Sequence, residues 1–448
     1  MKRVVIAVSM LTTGLARADD PPPPRDEPSA VDVETAPVPG TESGRTDPGD
    51  HDSVLRDIGQ GALFVPRIAV EVALSPVRAS VWALDRFQLV DRFKRVFFDE
   101  SETYGLYPTL VLDQSYGLTV GARFVHRNLF GEREHLALRG GTGGEYRAQA
   151  SVGLRSGERF GERTQLELRG ELERRPADAF YGIGNTEGSM IAYHREELFR
   201  ASTRVDIRAI SDLHVRAAAA LTDIAYADSS DGPPIDMIYT ASSLTGWPGT
   251  RNLYSELELR WDSRRVSTPF GGHHVLDTGS LLAVYAGPVH ALDGGVDYWR
   301  YGGEAQQFLN IGAGPRALAT RLYAEGVTGD TQSVAFTQLP ELGGKTLLRG
   351  YPRDRFRDRF AAVGSLEYMW DLGNYPMASL FIDVGRVFPS PRDIEPTNLR
   401  VGYGFSLQLH DVRRFIASVS VASSIDGGVF FNLAFDPVFD IEPRVEDR

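Results

Sequence analysis

The most constraining feature of this chain is a regular alternation of apolar and polar residues between Tyr104 and Phe439. In LYSELELRWD, for example, the leucines and the tryptophan fall on one face of a strand, and the glutamates and the arginine fall on the other. Successive side chains of a β-strand point to opposite faces, so each such segment predicts a ribbon with one apolar and one polar surface. The chain is therefore expected to consist mainly of β-strands.

The length and polarity of these segments decide between two architectures. A soluble sandwich would bury the apolar faces in a core, whereas a membrane barrel would turn them to lipid. The segments run about ten residues, the length that a tilted strand needs to cross the hydrocarbon layer. Many polar faces carry charges in series, which suits a wet lumen, and aromatic residues lie near the strand ends, as in interfacial girdles.

We therefore predict an all-β fold, an antiparallel transmembrane β-barrel of about 16 strands. Closing the sheet would satisfy every backbone group without water. The predicted strand centres are Leu110, Val120, Leu138, Ala150, Leu168, Val205, Ala217, Leu257, Val284, Tyr301, Leu322, Leu366, Phe381, Phe405, Val419 and Leu433.

The N-terminus has the layout of a secretory signal. Lys2 and Arg3 precede an apolar run, and Ala16-Arg17-Ala18 forms a small-x-small cleavage site, so residues 1–18 are expected to be a signal peptide. Residues 19–53 are rich in Pro and acidic residues and predict a disordered tether. An exported chain with no long apolar run is expected to reach the bacterial outer membrane or the periplasm.

Residues 54–100 predict a helical segment on the periplasmic side or in the pore. Ser75 and Pro76 suit a helix start, and an amphipathic helix is expected from there to Phe98. The helix could pack on a domain, plug the pore or lie at a membrane surface. Residues 101–439 are assigned to the barrel and 440–448 to a polar tail.

The sequence argues against an enzyme and against a metal or cofactor site. It contains no GxSxG elbow, no HExxH motif and no Gly-rich phosphate loop. The absence of Cys excludes thiolate sites, and the pair His273-His274 is expected in a solvated turn. The net charge of −12 argues against nucleic acid as a partner.

A basic stretch, GGKTLLRGYPRDRFRDR (343–359), separates two predicted strands. On composition alone it predicts a solvated surface loop. The two strands that follow it carry inward-facing acidic residues, Glu367 and Asp383. Arg can bridge two such acceptors through its planar guanidinium, and Gly350 permits a close backbone approach.

In this region the chain resembles the BamA/TamA family, also called the bacterial surface antigen family. The resemblance covers the barrel and is strongest in LGG and LRGY of the basic stretch and in the Phe-x-Asp-x-Gly pattern of the second strand after it. DQSYGLTVGARFVHRNLFGEREHLAL, FYGIGNTEG and WDSRRVSTPFGG resemble other parts of the family in the same order. The residues matched to the loop motif are Leu348, Arg349, Gly350 and Tyr351, and those matched to its lumen partners are Glu367, Phe381, Asp383 and Gly385.

The resemblance implies that the loop folds back into the barrel and that Arg349 meets Glu367 and Asp383 beside Phe381. Three departures separate this chain from better-known members: residues 54–100 are too short and too helical for a βααββ domain, Met369 stands where many members have an Arg, and a polar tail follows the last strand. The resemblance also implies a seam between the first and last strands, with Tyr107, Pro108 and Leu110 on one side and Phe431, Leu433 and Phe435 on the other.

The resemblance implies insertion or translocation of proteins through this seam by β-augmentation. The alternative is a passive or plugged channel without insertase activity, which the missing βααββ domains favour. The expected partners are outer-membrane lipid, lipopolysaccharide and unfolded outer-membrane or secreted polypeptides. A monomeric barrel is expected.

Overall fold

The computed structural model describes residues 95–113, 117–143, 147–185, 190–229, 232–239, 244–266, 276–311, 315–372, 376–411 and 414–434. The predicted signal peptide (1–18), the tether (19–53) and the polar tail (440–448) lie outside these residues. So do Phe435, the pair His273-His274 and nearly all of the predicted 75–98 helix, of which residues 95–97 are described and helical. Within the described part of the chain, no helix is both long and apolar enough to cross a membrane.

Sixteen long strands form one antiparallel sheet in which each strand pairs with the next along the chain. Each predicted centre falls within one of them, so the predicted strand count is confirmed. They are β1 Tyr104–Asp113, β2 Gly117–His126, β3 His135–Gly143, β4 Ala148–Arg155, β5 Thr164–Phe180, β6 Ala192–Arg208, β7 Leu213–Asp228, β8 Gly249–Asp262, β9 Leu276–Ala291, β10 Tyr298–Asn310, β11 Arg316–Val327, β12 Phe360–Asp371, β13 Pro376–Phe388, β14 Arg400–Asp411, β15 Arg414–Ser424 and β16 Val429–Ala434.

The two faces of the sheet differ as the alternation predicts. Leu257 and Leu322 point outward and are 55% and 67% exposed, whereas Glu258 and Arg321 point inward and are 2% and 6% exposed. A soluble sandwich would bury the apolar face, so the exposed apolar face excludes that alternative. The arrangement matches a membrane barrel, in which apolar residues meet lipid and polar residues line the interior.

The first and last strands form the edges of this sheet. β1 pairs with β2, and β16 pairs with β15, and no hydrogen-bonded register joins β1 to β16 within the residues that the structure describes. Some Cα atoms of the two strands nevertheless lie within 8 Å of each other. The expected closure by hydrogen bonds is therefore not seen in these residues, and we call the gap between β1 and β16 the seam.

The connections that follow β5, β7, β11 and β13 meet at one end of the sheet, because alternate strands of an antiparallel meander end on the same side. The Asn185 side chain donates to the Asn398 carbonyl at 2.9 Å, and the Thr245 hydroxyl donates to the Thr331 carbonyl at 3.0 Å. We call these connections together the loop cap. Its short elements are α1 (Ile235–Ile238), two 3₁₀ turns (Phe336–Gln338 and Pro391–Asp393) and a small hairpin of Glu341–Leu342 with Phe356–Arg357.

The loop cap has an apolar core of its own. Phe180, Ile235 and Phe336 are fully buried and belong to one cluster, and Phe336 contacts the Phe180 ring edge-on at a centroid distance of 5.1 Å. β5 and β6 have 17 residues each, well beyond the eight residues of β4. Their extra length forms the wall against which this core packs.

Candidate functional site

The long connection between β11 and β12 (328–359) brings the LRGY residues into the barrel. Leu348 and Gly350 both have positive φ, +59° and +96°, which turns the chain tightly around Arg349. Left-handed backbone is costly for a branched side chain such as leucine but not for glycine. Leu348 is fully buried among Leu342, Phe356 and Val363, and this packing holds its unfavourable backbone in place.

The Arg349 guanidinium lies between two acidic residues of the inner wall. Its Nε and Nη2 donate to the two carboxylate oxygens of Asp383 at 2.8 Å each, and its Nη1 donates to Glu367 at 2.9 Å. The backbone N–H of Arg349 also donates to Asp383, at 2.8 Å. Arg349 is 1% exposed and both carboxylates are 0% exposed, so the structure brings these three residues together in a buried ion cluster.

Two further side chains complete the surroundings of Arg349. The Phe381 ring lies 3.6 Å from the guanidinium carbon, which is close contact for a cation–π pair. Gln408 donates to the second oxygen of Glu367 at 3.2 Å. Burial by itself lowers the pKa of Arg349, but Asp383 and Glu367 raise it above its ordinary value, so the side chain stays charged. We call Arg349, Glu367, Asp383 and Phe381 the Arg349 cluster.

Glycines make room for the loop on the neighbouring strands. A Cβ at Gly402 would lie 1.6 Å from the carbonyl oxygen of Arg349, and one at Gly350 would lie 2.2 Å from that of Ser423. A Cβ at Gly404 would lie 2.6 Å from the Phe381 ring. Glycine at 402 and 350 therefore lets the loop backbone approach β14 and β15, and glycine at 404 leaves room for the Phe381 ring.

Tyr351 extends the contact toward the seam. Its hydroxyl donates to Asp426 at 3.0 Å, and Asp426 lies in the turn between β15 and β16. Burial and this hydrogen bond raise the pKa of Tyr351 to about 12, so it remains a donor. Arg400 also pairs with Asp426, at 3.0 Å. The LRGY residues thus contact β13, β14, β15 and the turn that leads into β16.

Gly385 follows Asp383 by two residues on β13 and lies against β12. A Cβ at this position would lie 2.9 Å from the Ala362 carbonyl oxygen and 3.0 Å from the Val363 Cβ. Its small size therefore serves the packing of β13 on β12.

The sequence did not predict Gln408, Gly402, Gly404 or Asp426 as residues of the site. Alternation places the first three on the inward face of β14, but no local pattern shows that the loop contacts them.

The interpretation of the basic stretch as a solvated surface loop is wrong. Arg357 is 3% exposed, and its Nη1 donates to the Phe336 carbonyl at 2.9 Å. Its guanidinium lies over the Phe180 ring at 5.4 Å, and that of Arg355 lies over Tyr181 at 5.0 Å. Arg355 and Arg357 thus hold the stretch against the end of β5 and against other residues of the loop cap.

The seam residues lie on the two edge strands. On β1, Tyr107 stacks on Phe98 at 5.8 Å, and Pro108 and Leu110 face Ala122 and Val120 of β2 in the backbone register. Pro108 has no N–H to donate, and proline in a sheet is typical of an edge strand. On β16, Phe431 and Leu433 point outward and are 63% and 40% exposed.

Comparison with known proteins bears on the fold. No family model matches this chain, and no curated protein matches it. Among solved structures, it is similar to BamA from Haemophilus ducreyi lacking POTRA domains 1–3, with 13% identity and a TM-score of 0.55 over 74% of this chain and 69% of that one. CdiB from Escherichia coli (11% identity, TM-score 0.46, 74% and 60% covered) and CdiB from Acinetobacter baumannii (9%, 0.45, 72% and 57%) also match. The BamA likeness shows that this chain has a BamA-like barrel fold.

Proposed function

We propose that this chain is an outer-membrane barrel that inserts or translocates polypeptides by pairing an incoming strand with an open seam. The observation that carries the proposal is the absence of a hydrogen-bonded register between β1 and β16 among the described residues, although the two strands lie close together. Fifteen pairings join the other strands in unbroken order, so the sheet is interrupted at one place only within the described chain.

An unpaired strand edge inside a bilayer is energetically unfavourable. Each backbone group without a hydrogen-bond partner in hydrocarbon costs roughly several kcal/mol. Pairing with any strand that supplies hydrogen bonds would therefore stabilise the edges of β1 and β16. β-Augmentation satisfies such an edge with little dependence on the sequence of the incoming strand. A seam of this kind therefore suits unfolded outer-membrane or secreted polypeptides as partners.

The Arg349 cluster lies in the part of the barrel next to the seam, and its contacts support the same function. The LRGY residues tie β13, β14 and β15 to the turn that precedes β16. A wall braced in this way keeps its register while the edge strand pairs with a client. The Arg349 cluster is therefore proposed as a brace, and no catalytic step forms part of the proposal.

The outward face supports a location in the outer membrane, with phospholipid and lipopolysaccharide as the surrounding molecules. Leu106, Leu282 and Leu380 are all more than half exposed, as residues in contact with lipid would be. Charged residues line the inner face, for instance Glu304 on β10 and Arg321 on β11, which pair at 2.6 Å.

A disulfide across the seam tests the proposal. The chain has no Cys, so thiols introduced by Leu106→Cys in β1 and by Phe431→Cys or Leu433→Cys in β16 meet no competing native thiol. All three positions point outward. In a strain depleted of the native protein, we expect the oxidised seam pair to lower the amounts of other outer-membrane proteins and the reduced pair to restore them.

A matched control carries the disulfide between strands that are already paired. Leu366 and Ile382 lie directly opposite each other on β12 and β13, so L366C with I382C should cross-link without loss of function. Normal outer-membrane protein levels with a fully oxidised seam would refute the insertase and translocase proposal. Conductance in planar bilayers that persists in the oxidised form would then support the passive channel.

A further inference from the structure

A β-bulge near the end of β5 changes the direction in which Asp178 points. Up to Arg175 the register of β5 on β6 is regular, and it then shifts by one residue so that Asp178 lies opposite His194. Strict alternation from the inward-facing Arg175 would have turned Asp178 outward. Pro176 lies within this shift, and proline inside a sheet is typical of a bulge. The bulge thus adds a third polar side chain to His194 and Glu196 on the inner face.

His194 is a buried polar side chain without a hydrogen-bond partner. It is 2% exposed, and neither ring nitrogen has a partner of acceptable geometry. The rings of Tyr226 and Phe336 contact it edge-on at 5.6 Å and 5.4 Å and hold its orientation. An unsatisfied buried imidazole is energetically unfavourable, so a ligand on one of its nitrogens would be stabilising.

We propose that Asp178, His194 and Glu196 bind a divalent transition-metal ion, with Zn²⁺ as the best match. One ligand atom from each residue lies within 4.8 Å of the others. Imidazole nitrogen with carboxylate oxygens suits Zn²⁺, whereas Ca²⁺ prefers six to eight oxygen ligands and Mg²⁺ retains water. Three protein ligands leave the fourth tetrahedral position to water.

The space available fits a single ion with water. The three residues line a cavity of about 50 Å³ between the β5–β6 wall and the loop cap. Its other charged lining residues are Glu341, Asp354, Arg175, Arg200, Arg353 and Arg357. Zn²⁺ ligands at about 2.0–2.2 Å from the metal are about 3.4 Å apart in a tetrahedron. The three ligand atoms would therefore move toward one another by up to about 1.4 Å on binding, through small side-chain rotations.

Neighbouring arginines do not rule out a cation. Arg175 lies 3.6 Å from both Asp178 and Glu196, which is ion-pair rather than hydrogen-bond distance, and its 2.9 Å contact is with Glu173. Arg200 on the same wall pairs with Glu171 at 3.8 Å. Arg353 and Arg357, which also line the cavity, pair with Asp354 and Glu341 at 3.5 Å and 3.7 Å. Each of the four arginines thus has a carboxylate partner outside the three proposed ligands.

Zinc binding to the full-length, tag-free barrel in detergent tests the site. After removal of metal by chelation, titration with ZnCl₂ should show one Zn²⁺ per chain. H194A and E196Q should each weaken binding by more than about 100-fold, since removal of a ligand costs more than the 10–100-fold that outer-shell changes cost. H290A is the matched control, because His290 pairs with Asp297 at 2.9 Å in an exposed position and should bind zinc like the native chain.

Heat-modifiable mobility on a gel shows whether each variant has folded. Should H194A fail that check, D178N keeps the size of the side chain and should still weaken zinc binding. Co²⁺ added to the native chain gives a reading that needs no variant, namely the visible absorption of a tetrahedral site. Native protein that binds no zinc, or H194A that binds it with native affinity, would overturn the proposal.

Discussion

Replacing Arg349 by alanine removes the cation that neutralises two buried acidic residues. Glu367 and Asp383 are both 0% exposed, and the arginine side chain makes three hydrogen bonds of 2.8–2.9 Å to them. Without it, two carboxylates remain close together inside the barrel. Breaking a buried pair while leaving one partner charged costs about 3–5 kcal/mol.

The lower end of that range is expected here. Glu367 retains its hydrogen bond from Gln408 at 3.2 Å, and water can enter the space that the arginine leaves in a polar lumen. A loss of about 3 kcal/mol corresponds to about a 150-fold change in the unfolding equilibrium. R349M combined with E367Q and D383N should recover most of the loss, because it removes the uncompensated charges as well as the cation.

Urea unfolding of the purified barrel, followed by heat-modifiable mobility and by tryptophan fluorescence, measures the effect. The midpoint should fall for R349A with an unchanged denaturant slope. R251A is the matched control, because Arg251 and its partner Asp223 are 58% and 38% exposed and such pairs contribute about 0–1 kcal/mol. An R349A barrel within about 1 kcal/mol of the native stability would refute the account of the Arg349 cluster as a buried brace.

Two further predictions follow from the glycine contacts and from the turn between β2 and β3. G402A should destabilise the barrel by about 1–3 kcal/mol or more, since its Cβ would lie 1.6 Å from the Arg349 carbonyl oxygen, while G153A, with open space around it, should have little effect on urea unfolding. Burial alone would raise the pKa of Glu134, but backbone N–H groups and Arg159 lower it to about 2 from its ordinary 4.5. The stabilising contribution of Glu134 should therefore be complete above pH 4.5 and lost as the pH falls toward 2. The difference in stability between the native chain and E134Q should shrink over that pH range. A difference that stays constant would contradict this.

The sequence was sufficient to predict the strands and their faces. Alternation is a local property of neighbouring residues, and it placed all sixteen centres inside observed strands and Leu257 and Glu258 on opposite faces. The LRGY and Phe-x-Asp-x-Gly patterns named the residues that meet around Arg349. The signal peptide, the tether and the 75–98 helix remain predictions, because these segments lie outside the described residues.

Other features depend on pairing between residues far apart in the chain. The shift that turns Asp178 inward exists only in the register of β5 on β6. Position 402 requires glycine only because the loop at Arg349, 53 positions earlier in the chain, lies against it. A local pattern determines which face a side chain prefers, because the period of a strand is built into its backbone. The tertiary structure alone decides which strand, loop or unpaired edge that face meets, since contacts between distant segments form only when the sheet is assembled.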